Sequence, residues 1–126
     1  MDELFVPFHI AKMLKERGFN DICFKHWYAK DNTTEPILTY TAYNNELFEL
    51  DFNIPLETNE IQISAPLYQQ VIDWFEKKET YIYALRYNNT WQWKRDVCGS
   101  YDDYSKGDGF VSKYAALNAA FEAALF

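Results

Sequence analysis

Two histidines, His9 and His26, and two cysteines, Cys23 and Cys98, are the side chains best suited to acid–base, nucleophilic or metal chemistry. No ligand spacing such as His-x-x-x-His is present, so a metal would need partners brought together by the fold alone. A satisfied structural histidine is the simpler reading of both. His26 is the better functional candidate, because it shares a strand face with aromatic residues. Cys98 precedes Gly99 at the end of a predicted strand, where active cysteines do occur, yet no base lies near it in sequence. Cys23 reads as a small buried apolar residue. Serine chemistry lacks a Gly-x-Ser-x-Gly elbow. The loop Tyr101–Gly109 gathers carboxylates and glycines, but not at the spacing of a calcium loop. It also lacks the Gly-Lys-Ser/Thr ending of a phosphate loop. Glu49 and Asp51 would share a strand face as a solvated, charged edge. These residues predict no catalytic group, no metal and no cofactor.

The elements that would position any site follow from composition and pattern. The chain has 126 residues, 48% hydrophobic and 25% charged, which predicts one globular domain over 1–126. Twelve basic and 19 acidic residues give a net charge of −7. That balance argues against a nucleic-acid backbone or an anionic membrane as partner. No apolar run approaches the length of a membrane span. The acidic start Met1-Asp2-Glu3 is unlike a secretory signal. A cytoplasmic protein with reduced thiols is therefore expected. Asn32-Thr33-Thr34 and Asn88-Asn89-Thr90 then read as turns rather than glycosylation sites.

Helical spacing predicts a first helix from Pro7 to Arg17, closed by Gly18 as a left-handed cap. Cys23–Tyr28 and Ile37–Tyr43 read as a hairpin around Asp31-Asn32-Thr33-Thr34. Residues 46–63 are ambiguous, although Leu50, Phe52 and Ile54 alternate like a strand. Ser64-Ala65-Pro66 reads as the start of a second helix carrying Leu67, Val71, Trp74 and Phe75. A second hairpin begins at Thr80. A third helix is expected from about Asp108 to the end, with the stripe Phe110, Tyr114, Leu117 and Phe121. The expected fold is α+β, in the order α-β-β-(β)-α-β-β-α. An antiparallel sheet of four to five strands would carry three helices, mainly on one face.

The aromatics are the anomaly. Four Trp, ten Tyr and ten Phe make up 19% of the chain, more than three helices and one sheet easily hide. In the second hairpin, a three-residue loop would set Tyr87 against Trp91 and Leu85 against Trp93. Tyr83, Tyr87, Trp91 and Trp93 would then share one face. A two-residue loop would split them, because a one-residue slip turns every side chain over. The three-residue loop is preferred here, since it yields one apolar and one polar face.

Two segments carry a resemblance. Val6–Phe19 (VPFHIAKMLKERGF) and Ile63–Phe75 (ISAPLYQQVIDWF), with the alanine-rich C-terminal helix, resemble a family of small uncharacterised proteins. That family is encoded by phages and mobile elements of Bacteroides-type gut bacteria. The resemblance implies a setting in a bacterial host cell, and carries no activity or site residue with it.

The leading expectation is a non-enzymatic accessory protein that binds another protein, modulating a host system. Small size, acidity and excess Tyr and Trp point that way. The alternative is a binder of a small, nucleotide-like ligand in a Tyr/Trp-lined pocket. Tyr83, Tyr87, Trp91 and Trp93 would stack on it, with Arg86 or Arg95 contacting an anion and His26 as a further candidate. A third reading is an enzyme whose site assembles around His26 or Cys98. Homo-oligomerisation through the aromatic strands is also expected.

Overall fold

The computed structural model describes residues 2–40, 60–97 and 105–126. They form a mixed α+β structure of three α-helices and two three-stranded antiparallel sheets. The chain divides into two compact units, Met1–Leu67 and Tyr68–Phe126.

In the first unit, α1 (Phe8–Glu16) buries Ile10, Ala11 and Leu14, the stripe its sequence spacing requires. Pro7 is its N-cap rather than its first helical residue. At the other end Gly18 takes φ +91°, which a side chain would resist. Gly18 N–H donates to Lys15 C=O at 3.1 Å and Phe19 N–H to Leu14 C=O at 2.9 Å, so the last carbonyls are satisfied. Strands β1 (Lys25–Ala29), β2 (Ile37–Tyr40) and β3 (Ile61–Ala65) follow, with β1 central in the order β2-β1-β3. Trp27 lies between Leu38 and Ile63 in register. Its Nε1–H donates to Val6 C=O at 3.1 Å, and its ring meets Phe8 edge-on at 6.2 Å. Val6 N–H donates to Pro66 C=O at 3.0 Å, and Phe5 bridges Leu67. The buried Lys25 ammonium sits over the Tyr40 and Phe5 rings, 4.6 and 5.3 Å from their centroids.

The second unit runs α2 (Tyr68–Glu76), β4 (Thr80–Tyr87), β5 (Thr90–Val97), β6 (Ser105–Phe110) and α3 (Lys113–Leu125). Its strands lie in the order β4-β5-β6. α2 packs against β4, and α3 against all three strands. The rings of Tyr68 and Phe75 stack on Phe121 at 6.0 and 5.9 Å, and Tyr68 Oη–H donates to Asn118 Oδ1 at 2.8 Å. Ser112 caps α3 by accepting from Ala115 N–H at 3.1 Å.

Several expectations are corrected. The strands form two sheets, not one of four to five strands. Ser64 and Ala65 do not open a helix; they pair with His26 and Lys25 in β3, and α2 starts at Tyr68. Residues 105–110 are not a loop leading into α3. Ser105, Gly107 and Phe110 take cross-strand partners on β5, and the helix begins at Lys113 behind the Ser112 cap. Cys98, the first residues of the Tyr101–Gly109 loop, and the alternating Leu50, Phe52 and Ile54 lie outside the described residues.

Candidate functional site

The turn between β4 and β5 decides what the second sheet presents. Asn88 and Asn89 both have positive φ, 50° and 65°. Asparagine tolerates this left-handed region, and two such residues in succession give a type I′ turn, whose twist matches the hairpin. The loop therefore has two residues, not three. Tyr87 pairs with Thr90, Leu85 with Gln92, Tyr83 with Lys94 and Tyr81 with Asp96. The expected facing of Tyr87 with Trp91, and of Leu85 with Trp93, is overturned.

The slip of one residue divides the aromatic set. Trp91 and Trp93 share a face with Ile82, Ala84, Arg86 and Arg95. Ile82 and Trp93 on this face are buried. Arg95 Nη1–H donates to Ala123 C=O at 3.2 Å, so this cation serves the C-terminal end of α3. Arg86 stays exposed opposite Trp91.

Tyr81, Tyr83, Leu85 and Tyr87 occupy the other face and are 40, 36, 40 and 65% exposed. Thr90, Gln92, Lys94 and Asp96 continue this face across β5, and Lys106 on β6 stands opposite Lys94. Tyr83 Oη–H donates to Asp96 Oδ2 at 3.3 Å, tying one ring to the polar row. The face thus has an aromatic row bordered by charged and amide side chains. Tyr83 and Tyr87 are brought together here, whereas Trp91, Trp93, Arg86 and Arg95 are not. Tyr81 and Leu85 complete the row. The alternation of β4 and the Asn-Asn turn were the signals that could have placed them.

Two clefts flank this sheet. One of about 480 Å³ is lined by Asp73, Glu76, Lys77 and Tyr81. The other, about 340 Å³, is lined by Tyr87, Asn88, Thr90, Gln92, Asp108 and Gly109. Neither has the predominantly apolar lining typical of a small-molecule site. Among the described residues no group of three or more His, Cys, Asp and Glu could hold a metal ion. No helix among them is long and apolar enough to cross a membrane.

His26 lies in the first unit, in register between Thr39 and Ser64, and both it and Ser64 are buried. Burial lowers the imidazole pKa. An unfolded histidine titrates near about 6.5. Below that value the unfolded chain takes up a proton that the folded chain still refuses, so stability falls with falling pH until the lower folded pKa is passed. Above about 6.5 both states are neutral and the effect vanishes. Urea midpoints taken from about pH 8 down to about pH 5 are expected to decline, and His26→Gln to flatten that decline. Cys23 is buried, with Sγ–H donating to Asp21 C=O at 3.4 Å.

No protein-family model matches the chain, and neither a curated protein nor a solved structure does.

Proposed function

We propose that this chain is a non-enzymatic accessory protein that binds a protein partner through the open face of its second sheet. Tyr81, Tyr83, Leu85 and Tyr87 are the contact residues. The observation that carries this reading is their shared exposure on one face of a single eight-residue strand. Contiguous exposed apolar surface with a polar border is a mark of interaction sites. Tyrosine is a favoured anchor, because its ring is large and rigid while its hydroxyl remains wet. The surplus of 19 acidic over 12 basic residues steers encounter toward a basic partner. The resemblance to phage and mobile-element proteins supports a partner from the bacterial host.

The test uses a partner that co-purifies with the whole chain and is then purified separately. Tyr83→Ala together with Tyr87→Ala is expected to weaken its binding about 30-fold or more, since each truncated anchor typically costs above about 1 kcal/mol. Far-UV circular dichroism should stay unchanged, because both side chains are exposed. Wild-type affinity in that double variant would remove the open face as the contact.

A further inference from the structure

We infer that the chain pairs with a second copy of itself along the outer edge of β4, so that two three-stranded sheets join into one. Edge strands are templates for such pairing unless they are short, bulged or interrupted. β3 has only five residues, and the described part of β2 is Ile37–Tyr40. β6 contains Gly107 and Gly109, and its pairing with β5 is irregular between Trp91 and Trp93. β4 differs from these. It runs eight residues, TYIYALRY, with neither glycine nor proline, and its register with β5 is unbroken.

The turn fixes which backbone groups remain on that edge. In a two-residue hairpin the residues flanking the turn exchange N–H and C=O, and every second pair does the same. Tyr87, Leu85, Tyr83 and Tyr81 therefore point their backbone groups at β5. Ile82, Ala84 and Arg86 point theirs outward. No turn, loop or cap hydrogen bond among the described backbone groups reaches these three.

The strand is also complementary to itself. An antiparallel two-fold centred on Ala84 sets Tyr81 opposite the partner's Tyr87, and Tyr83 opposite the partner's Leu85. The apolar row then continues across the junction. Arg86 is the only charged residue of β4, and this register places it beside the partner's Ile82. The two Arg86 side chains stay about 13 Å apart along the strand direction. Each instead approaches the end of the strand whose neighbouring cleft is lined by Asp73, Glu76, Lys77 and Tyr81, two carboxylates against one ammonium. That match of cation to carboxylates is what selects a second copy as occupant, despite the net charge of −7 that each copy carries.

The pairing is tested separately from the partner-binding proposal, since its variants alter the backbone edge and the charges rather than the tyrosine rings. The test is sedimentation of the full chain at about 10–100 μM, a range that reveals micromolar association. A dimer is expected for the wild type. Ala84→Pro removes an outward N–H and leaves the bonds to β5 intact, so it should fold and self-associate about tenfold more weakly or worse. Arg86→Glu should weaken the dimer as well. Adding Asp73→Lys and Glu76→Lys to Arg86→Glu should restore it. If Ala84→Pro fails to fold, the charge reversal and its rescue decide alone. A wild type that stays monomeric throughout, or a dimer indifferent to the charge reversal, overturns the pairing. A monomer that still loses its partner upon Tyr83→Ala and Tyr87→Ala would leave the partner-binding face standing.

Discussion

Phe121→Ala is expected to destabilise the protein by about 3–5 kcal/mol, read as a fall in the urea midpoint at an unchanged slope. Phe121 is completely buried. Its ring stacks on both Tyr68 and Phe75, so it joins α3 to α2 beneath the second sheet. Truncation removes the transfer free energy of the ring and leaves a void between two rings that cannot close without moving a helix. The neighbouring buried positions on α3 include Ala116 and Ala120, whose methyl groups are too short to fill it. Alanine is the better helix former, but by only about 0.5 kcal/mol, which is far below the packing loss. Phe121→Leu keeps most of the volume and should cost markedly less. Equal losses for Leu and Ala would mean that ring stacking, not volume, sets the effect. Because small domains hold only about 5–15 kcal/mol in all, the alanine variant should sit near its unfolding threshold at room temperature.

The second large effect is expected at Gly107. Its backbone needs no special φ; the constraint is space. A methyl group there would overlap Trp93 Nε1 and lie 3.0 and 3.2 Å from Cε2 and Cδ1 of the same indole. Trp93 is itself buried and faces Gly107 across β5 and β6. The indole cannot swing away without disturbing the helix-covered face, so Gly107→Ala should cost about 1–3 kcal/mol. The tryptophan emission should shift to the red as Trp93 is pushed toward water. Trp93→Phe in the same chain removes the offending edge of the indole, and a double-mutant cycle should show favourable coupling of about 0.5–3 kcal/mol. Additive losses would place the cause in the β6 backbone rather than at the indole. Gly109→Ala is the useful contrast. Nothing lies within 4 Å of its added methyl group, and its cost would arise from φ +83° alone.

The helices were the most legible part of the sequence. Ile10, Ala11 and Leu14 recur at helical spacing and are the buried side of α1. Of the expected α2 stripe Leu67, Val71, Trp74 and Phe75, only Val71 and Phe75 are fully buried, and Tyr68 joins them. Gly18 declared the end of α1 because only its left-handed conformation satisfies the last carbonyls. The strands were legible in existence but not in register. Amphipathic sorting placed Tyr83 and Tyr87 with Trp91 and Trp93, on the premise that rings seek one face. Turn chemistry ruled otherwise. Two left-handed asparagines fix the loop length, and tyrosine can stand in water where tryptophan is buried. β6 was illegible for a different reason. Ser-Lys-Gly-Asp-Gly has almost no intrinsic strand preference, so its conformation is imposed by β5 and by the room Trp93 requires. β3 was hidden by Ser64-Ala65-Pro66, whose local pattern is that of a helix start, whereas pairing with β1 makes it a strand. His26 was rightly placed on a strand, but its buried neighbour Ser64 is a distant residue that only the fold brings alongside.

The clasp of the first unit carries a consequence for synthesis. Phe5 and Val6 find their backbone partners at Leu67 and Pro66, and Val6 also receives the Trp27 indole. These contacts join residues about 60 positions apart, so they close late and set a high contact order for so small a unit. On the ribosome, the segment around Phe5 must wait for that stretch to be made, about 3–12 s at about 5–20 residues per second. Through that interval α1 can form, but it has no β3 to pack against, and its apolar stripe faces water or a chaperone. The last piece of the first unit to be made is therefore Ile61–Leu67, which gives the waiting segment around Phe5 its place.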